Sequence, residues 1–201
     1  MKNKKILFVF ILIIILILIF FIFKNMTKKS KSGNNMSSQE IVDYILNINS
    51  YRAKITVQVN SNKNSNRYII NQEFNKENGC TQEVLEPNNI AGIRITNKDG
   101  VLKVENSNLN LSSIFENYKE LGKNDLDLNV FIEDCKLSNN IKSEEVNGEV
   151  VIQVKTNKEN QYIGNKKLYI NKERLIPTKL IIEDNNHNST INIEYNEIEL
   201  N

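Results

Sequence analysis

YRAKITVQVN, residues Tyr51 to Asn60, alternates without a break: Tyr51, Ala53, Ile55, Val57 and Val59 are apolar or aromatic, while Arg52, Lys54, Thr56, Gln58 and Asn60 are polar. A period of two sends successive side chains to opposite faces, so the segment is a long strand with one dry and one wet face. Such a strand belongs to an antiparallel sheet covered on one side. After the polar run SNKNSN, Tyr68, Ile70 and Phe74 continue the pattern in a second strand. TQEVLE and GIRIT are two shorter strands, and NKDG turns the chain into VLKVE. Asp-Gly between strands is a strong hairpin signal, because a two-residue type I′ turn needs positive φ at both positions.

Outward from this meander the period changes. Ser37 and Glu40 have capping-box spacing and Ile41, Val42, Ile45 and Ile48 share a face, which predicts a helix over SSQEIVDYILNI. On the other side, LSSIFENYKELG and DLDLNVFIEDCKL read as two amphipathic helices. Ile114, Phe115, Tyr118 and Leu121 are apolar in the first, and Leu128, Phe131, Ile132 and Cys135 follow i, i+3, i+4, i+7 in the second. Strands resume with Val150, Ile152 and Val154 after Asn147-Gly148, then KKLYIN, IPTKLIIED and STINIEYNEIEL. In the last segment the apolar positions Ile191, Ile193 and Tyr195 change phase to Ile198 and Leu200, which predicts a bulge near Asn196 and Glu197.

The order is helix, five strands, two helices, then about five strands. That is an α+β chain: a curved antiparallel sheet, a half-open β-barrel, with helices as its lid. Ile55, Val57, Phe115, Tyr118, Leu128, Phe131 and Ile132 are the residues expected beneath that lid. They make either an ordinary core or a hydrophobic cavity for an acyl chain or a partner's side chain.

The N-terminus has a different character. Residues 6–23 are eighteen consecutive apolar residues, among them Ile6, Phe10, Ile15, Phe20 and Phe23. As a helix they would span about 27 Å, close to a bilayer's hydrocarbon thickness. The run is longer than a signal peptide's apolar region and meets Lys24 with no small-x-small cleavage site, which favours an uncleaved signal anchor over a poorly marked signal peptide. The chain thus divides into a basic N-terminus (1–5), a transmembrane anchor (6–23), a polar basic stem (24–37) and a β domain (38–201). Lys2, Lys4 and Lys5 before the run nearly balance Lys24, Lys28, Lys29 and Lys31 after it, so charge does not set the orientation. The β-rich reading places the domain outside the cytoplasm, on the cell membrane.

Residues 1–31 hold seven of the chain's 26 basic side chains and none of its 24 acidic ones, which leaves residues 32–201 with a net charge of −5. Nucleic acid is therefore not an expected partner. The abundance of Asn, Ile and Lys, whose codons are AT-rich, points to a low-GC bacterial source. Cys80 and Cys135 are open to two readings, buried thiols or a disulfide closing a long loop, which would stabilise by about 4 kcal/mol. No CxxC, CxxH or HExxH spacing is present, nor a GxSxG or phosphate-binding loop, so neither a metal nor a cofactor is expected. His187, the single histidine, sits in the Asn-rich turn DNNHNST and reads as solvated. Glu133-Asp134 and Glu144-Glu145 read as exposed surface. The chain is not expected to be an enzyme.

INSYRAKITVQV, NRYIINQEF, QEVLEP, NKDGVLKVEN and LYINKERLIPTKLIIEDNNHNSTINIEYNEIEL together resemble the LolA/LolB-type lipoprotein carriers. Within them the GerS branch of clostridial germination lipoproteins is the most similar. Pro177, which has no N–H to donate, fits the start of a strand in that pattern. The resemblance implies the half-open barrel with a helical lid and no catalysis. Carriers of this type hold acyl chains, whereas the GerS branch binds and activates a cell-wall amidase in spore cortex breakdown. RseB-like regulators share the fold and contact a membrane anti-sigma factor. GerS-type proteins are lipoproteins, and this chain has no cysteine where a lipobox would end, so the apolar helix stands in for the lipid. The expected partners are accordingly the membrane, an envelope protein such as the amidase, or an acyl chain. Unpaired sheet edges add a strand-mediated homodimer to these expectations.

Overall fold

Tyr51 to Asn60 falls within strand β1 (Ser50–Asn60), which pairs antiparallel on both sides. The computed structural model describes residues 35–61, 63–106, 108–116, 124–156 and 163–201. After helix α1 (Ser38–Leu46) come β1, β2 (Ser65–Asn75), β3 (Gly79–Glu86), β4 (Ile93–Lys98), β5 (Val101–Asn106) and β6 (Leu111–Phe115). Helix α2 (Leu128–Leu137) then precedes β7 (Ile141–Val146), β8 (Glu149–Lys155), β9 (Asn165–Asn171), β10 (Ile176–Glu183) and β11 (Ser189–Leu200). The eleven strands form one antiparallel sheet in the order β6-β5-β4-β3-β2-β1-β11-β10-β9-β8-β7. Among the described residues it is open: β6 and β7 each have a single neighbouring strand.

Each half is a meander of sequence-adjacent hairpins, and among the described residues β1–β11 is the one pairing that joins strands distant in sequence. Here the predicted bulge does its work. Lys54 faces Glu197 and Ile55 faces Tyr195, so Asn196 is the extra residue. Skipping it lets Ile191, Ile193 and Tyr195 and then Ile198 and Leu200 oppose Val59, Val57, Ile55, Ala53 and Tyr51, all on the inner face. The hairpin signals also hold: Asp99 and Gly100 have φ of 50° and 80°, and Asn147 and Gly148 have 52° and 80°. Ser37 caps α1 with the reciprocal Glu40 box.

Two elements differ from the sequence reading. LSSIF is strand β6, not the start of a helix, so there are two helices among the described residues where three were expected. The helical spacing of Ile114 and Phe115 gives way to a local turn: the Asn106 side chain accepts hydrogen bonds from the Asn108 and Leu109 amides, and Asn110 takes φ of 53°. That Asx turn returns the chain against β5. The fifth strand of the second half, β7, has charged side chains at Lys142, Glu144 and Glu145 and no alternation, because as an edge strand it is exposed on both faces apart from Ile141.

Ile41, Val42 and Ile45 of α1 and Leu128, Phe131, Ile132 and Cys135 of α2 pack in one cluster with Ile55, Val57, Val150, Ile152, Leu168, Ile170, Leu180 and Ile193 of the inner face. The helices touch each other, and α1 also touches β7 and β8.

A close backbone approach lies at Gly79, where φ is 79° and an added Cβ would stand 2.1 Å from the Asn97 carbonyl oxygen. Gly148 has the same sign of φ but nothing within 4 Å of a Cβ. Gly148→Ala therefore loses only the left-handed strain, about 1 kcal/mol, whereas Gly79→Ala adds a backbone clash and loses about 2–3 kcal/mol. Urea midpoints at unchanged m-value check the order of the two variants.

Candidate functional site

Five of the seven residues expected beneath the helices come together. Ile55, Val57, Leu128, Phe131 and Ile132 are each at most 2% exposed and lie in the core cluster. Phe115 does not join them: it lies on the edge strand β6 and is 45% exposed. Tyr118 lies outside the described residues, as do Ile6, Phe10, Ile15, Phe20 and Phe23 of the apolar run. Among the described residues no helix is long and apolar enough to cross a membrane.

Beside the apolar core, a buried polar network fastens α2 to the sheet. Asp127 caps α2 by accepting from the Asn129 amide at 2.8 Å, and accepts from the Tyr51 hydroxyl at 2.5 Å. That hydroxyl in turn accepts from the Leu128 amide at 3.2 Å. Gln72 on β2 donates to the Leu126 carbonyl at 2.8 Å, and Asn124 donates to Gln82 on β3 at 2.5 Å. A second tie is ionic: the ammonium of Lys166 on β9, fully buried, lies 2.7 Å from Asp125 and 2.5 Å from Asp134. Burial holds the Asp127 carboxyl above its ordinary value, although the Cys80 thiol, the Tyr51 hydroxyl and the Asn129 amide all hydrogen-bond to it and oppose that shift. Burial likewise pushes the Tyr51 hydroxyl well up. The Tyr195 hydroxyl and the Gln82 Nε2 are buried with no hydrogen-bond partner among the described residues.

The two cysteines are free. Burial pushes the Cys135 thiol up to about 12 and raises that of half-buried Cys80 as well, and a thiol so far from its thiolate is inert. His187 sits in the β10–β11 turn at φ of 66°, exposed, as the sequence reading expects. No group of three or more His, Cys, Asp or Glu side chains is placed to hold a metal among the described residues.

Two surfaces remain. On the inner face, beyond the polar network, Val84, Ile93, Ile95, Leu102 and Val104 are half-buried and apolar. On the outer face a groove of about 350 Å³ is lined by Arg52, Lys54, Glu73, Glu83, Arg94 and Glu197. Four of its charges pair with one another, Arg52 with Glu73 and Arg94 with Glu83, both at 2.8 Å. Exposed pairs of this kind contribute little to stability.

A family model described as "Sporulation protein YdcC-like" matches residues 3–201. The chain belongs to the YdcC-like sporulation protein family. Among solved structures, this YdcC-like chain is similar to one chain of the CwlD amidase from Clostridioides difficile in complex with the GerS lipoprotein. The TM-score there is 0.54 at 21% identity, covering 80% of this chain and 92% of that one. A conserved protein from Thermus thermophilus matches at 0.52 and 11% identity, over 83% and 88% of the two chains. The LolA-superfamily protein NE2245 from Nitrosomonas europaea reaches 0.41 at 11% identity over 83% and 94%. None of the curated proteins matches. The resemblance to the GerS-type fold is thus borne out.

The YdcC-like chain keeps its buried polar residues where parity places them. Lys166 shares its strand face with Leu168 and Ile170, Gln72 with Ile70 and Phe74, and Gln82 with Cys80 and Val84. A polar residue at an apolar parity is the signal by which the sequence reading, which passed over all three, could have found the network. Removing one partner from a buried ion cluster leaves uncompensated charge, so Lys166→Met costs about 3–5 kcal/mol, and adding Asp125→Asn and Asp134→Asn restores most of it. Denaturant titrations of the two variants test this. For Asp127 the folded chain binds the carboxyl proton more tightly than the unfolded chain, so its contribution is present below the ordinary aspartate value and is lost as pH rises through the raised one. The stability of the wild type relative to Asp127→Asn is expected to fall with rising pH across that window, as read from urea midpoints. A difference that grows with pH would contradict the assignment.

Proposed function

We propose that this chain is a non-enzymatic adapter of sporulation, tethered to the cell membrane by residues 6–23, with residues 38–201 outside the cytoplasm gripping a cell-wall amidase. The observation that carries the reading is the fold shared with one chain of the amidase–lipoprotein complex, over most of both chains. Membership of a sporulation family supports the same setting. The chemistry of the inner face agrees with binding: Asp127, Tyr51 and Lys166 are all engaged in holding α2 against the sheet. In this reading the sheet curls into a half-open barrel with the helices on its concave side, and the apolar run takes the place of the lipid that anchors a lipoprotein.

Carriage of an acyl chain is the second reading, favoured by the half-buried apolar stretch of Ile93, Ile95, Leu102 and Val104. It fits a tethered chain less well, since a fixed carrier cannot shuttle its cargo. Full-length tagged protein purified from membranes of sporulating cells separates the two. Recovery of a cell-wall amidase in the eluate, with an apo mass for the chain itself by native mass spectrometry, is the expected outcome. An eluate free of amidase in which the chain has bound lipid would replace the adapter with the carrier.

A further inference from the structure

Asn147-Gly148 closes the β7–β8 hairpin, and the same dipeptide carries a reactivity of its own. Where glycine follows asparagine, no side chain crowds the glycine amide nitrogen, so that nitrogen can attack the asparagine Cγ. The chain holds two such pairs, Asn78-Gly79 and Asn147-Gly148. Both asparagines are exposed, and the two glycines have φ of 79° and 80°. Neither feature separates the pairs; their surroundings do.

Gly79 lies inside strand β3, between β2 and β4. It is the register partner of Asn75, and the Asn97 carbonyl oxygen and the Lys98 Cα stand against it from β4. The turn before it is held as well, with the Asn75 carbonyl accepting from the Asn78 amide and the Asn75 side chain accepting from the Glu77 amide. Cyclisation needs the Asn-Gly peptide to rotate, and at Gly79 rotation must part the ends of two strand pairings. Gly148 lies outside the strands, is exposed, and has nothing within 4 Å of an added Cβ. Its carbonyl accepts from the Lys172 amide at 3.1 Å, whereas its amide and the Asn147 side chain form no hydrogen bond among the described residues. β7 is exposed from Lys142 to Val146, so letting Asn147 leave the type I′ turn breaks few buried contacts.

We propose that Asn147 is a site of spontaneous deamidation in the folded chain, and that the fold protects Asn78. The Gly148 nitrogen loses its proton to hydroxide and bonds to the Asn147 Cγ. The Cγ–Nδ2 bond breaks, the departing nitrogen takes a proton from water, and ammonia leaves a succinimide behind. Water then opens the ring at either carbonyl, giving aspartate or, with the main chain rerouted through the side chain, isoaspartate. One amide and one water become one carboxylic acid and one ammonia, with no change of oxidation state. Isoaspartate adds a methylene to the backbone of a two-residue turn, which cannot then keep the type I′ geometry that sets the β7–β8 register.

The site depends on the fold and not on the amidase reading. Full-length protein is held at mildly alkaline pH, folded in detergent or unfolded in guanidinium, and its peptides are then weighed by mass spectrometry. In the folded chain, acid is expected at residue 147 severalfold faster than at residue 78, and in guanidinium the two are expected to convert at similar rates. Gly148→Ala, which has room for its methyl group, is expected to slow conversion at residue 147 severalfold and to leave residue 78 unchanged. Equal rates in the folded chain, faster conversion at residue 78, or a difference that persists in guanidinium overturns the proposal. So does a folded chain whose Asn147 stays intact over the time in which guanidinium converts it, or a Gly148→Ala that converts at the wild-type rate.

Discussion

The structure hangs on the seam between β1 and β11. Every other strand pair among the described residues is a hairpin between neighbours in sequence, so each half of the sheet can assemble locally, whereas the seam brings together segments separated by most of the domain. Closing that span costs chain entropy that only a continuous, well-registered contact offsets. The bulge at Asn196 supplies the registration: without it, the apolar residues on one side of the break would turn to solvent. The ends of the domain reinforce the same place, with the Asn201 carbonyl accepting from the Asn49 and Ser50 amides and the Asn201 amide donating to Ser50.

With the seam fixed, the inner face becomes a platform, and α2 is held on it in two ways that differ in what they specify. Burial of Leu128, Phe131, Ile132 and Cys135 attracts the helix to the sheet without choosing an orientation, since the hydrophobic effect is not directional. The polar ties choose it. Tyr51 and Asp127 fix the helix N-terminus, and Lys166 links Asp125 before the helix to Asp134 within it. Desolvating these groups adds little to net stability, so what the network contributes is a unique position for α2. A helix tied at both points behaves as part of the core.

How much of this can be read from the sequence follows from where each residue sits. Strands with one buried face, such as β1 and β9, show their alternation plainly, and type I′ turns declare themselves through Asp99-Gly100 and Asn147-Gly148. The phase change in β11 even locates the bulge. What fails is the edge. β7 is wet on both sides and shows charges without period, and β6 offers Leu111, Ile114 and Phe115 at a spacing that suits a helix equally well. The turn that decides for the strand depends on the Asn106 side chain, a local hydrogen-bond choice that periodicity does not register. The buried network is hidden for another reason: Lys166 in KKLYIN is one of two adjacent lysines, and only the parity of Leu168 and Ile170 marks which of them points inward.

These limits bear on function. A catalytic site is legible because its chemistry needs rare residue types in fixed relation, whereas a binding surface on a sheet needs none. Alternation is the signature of a strand with one committed face. A strand with both faces exposed has no such commitment, so its sequence carries no period. The segment that the hydrophobic pattern describes worst, Leu111–Phe115, is for that physical reason the one exposed at every position.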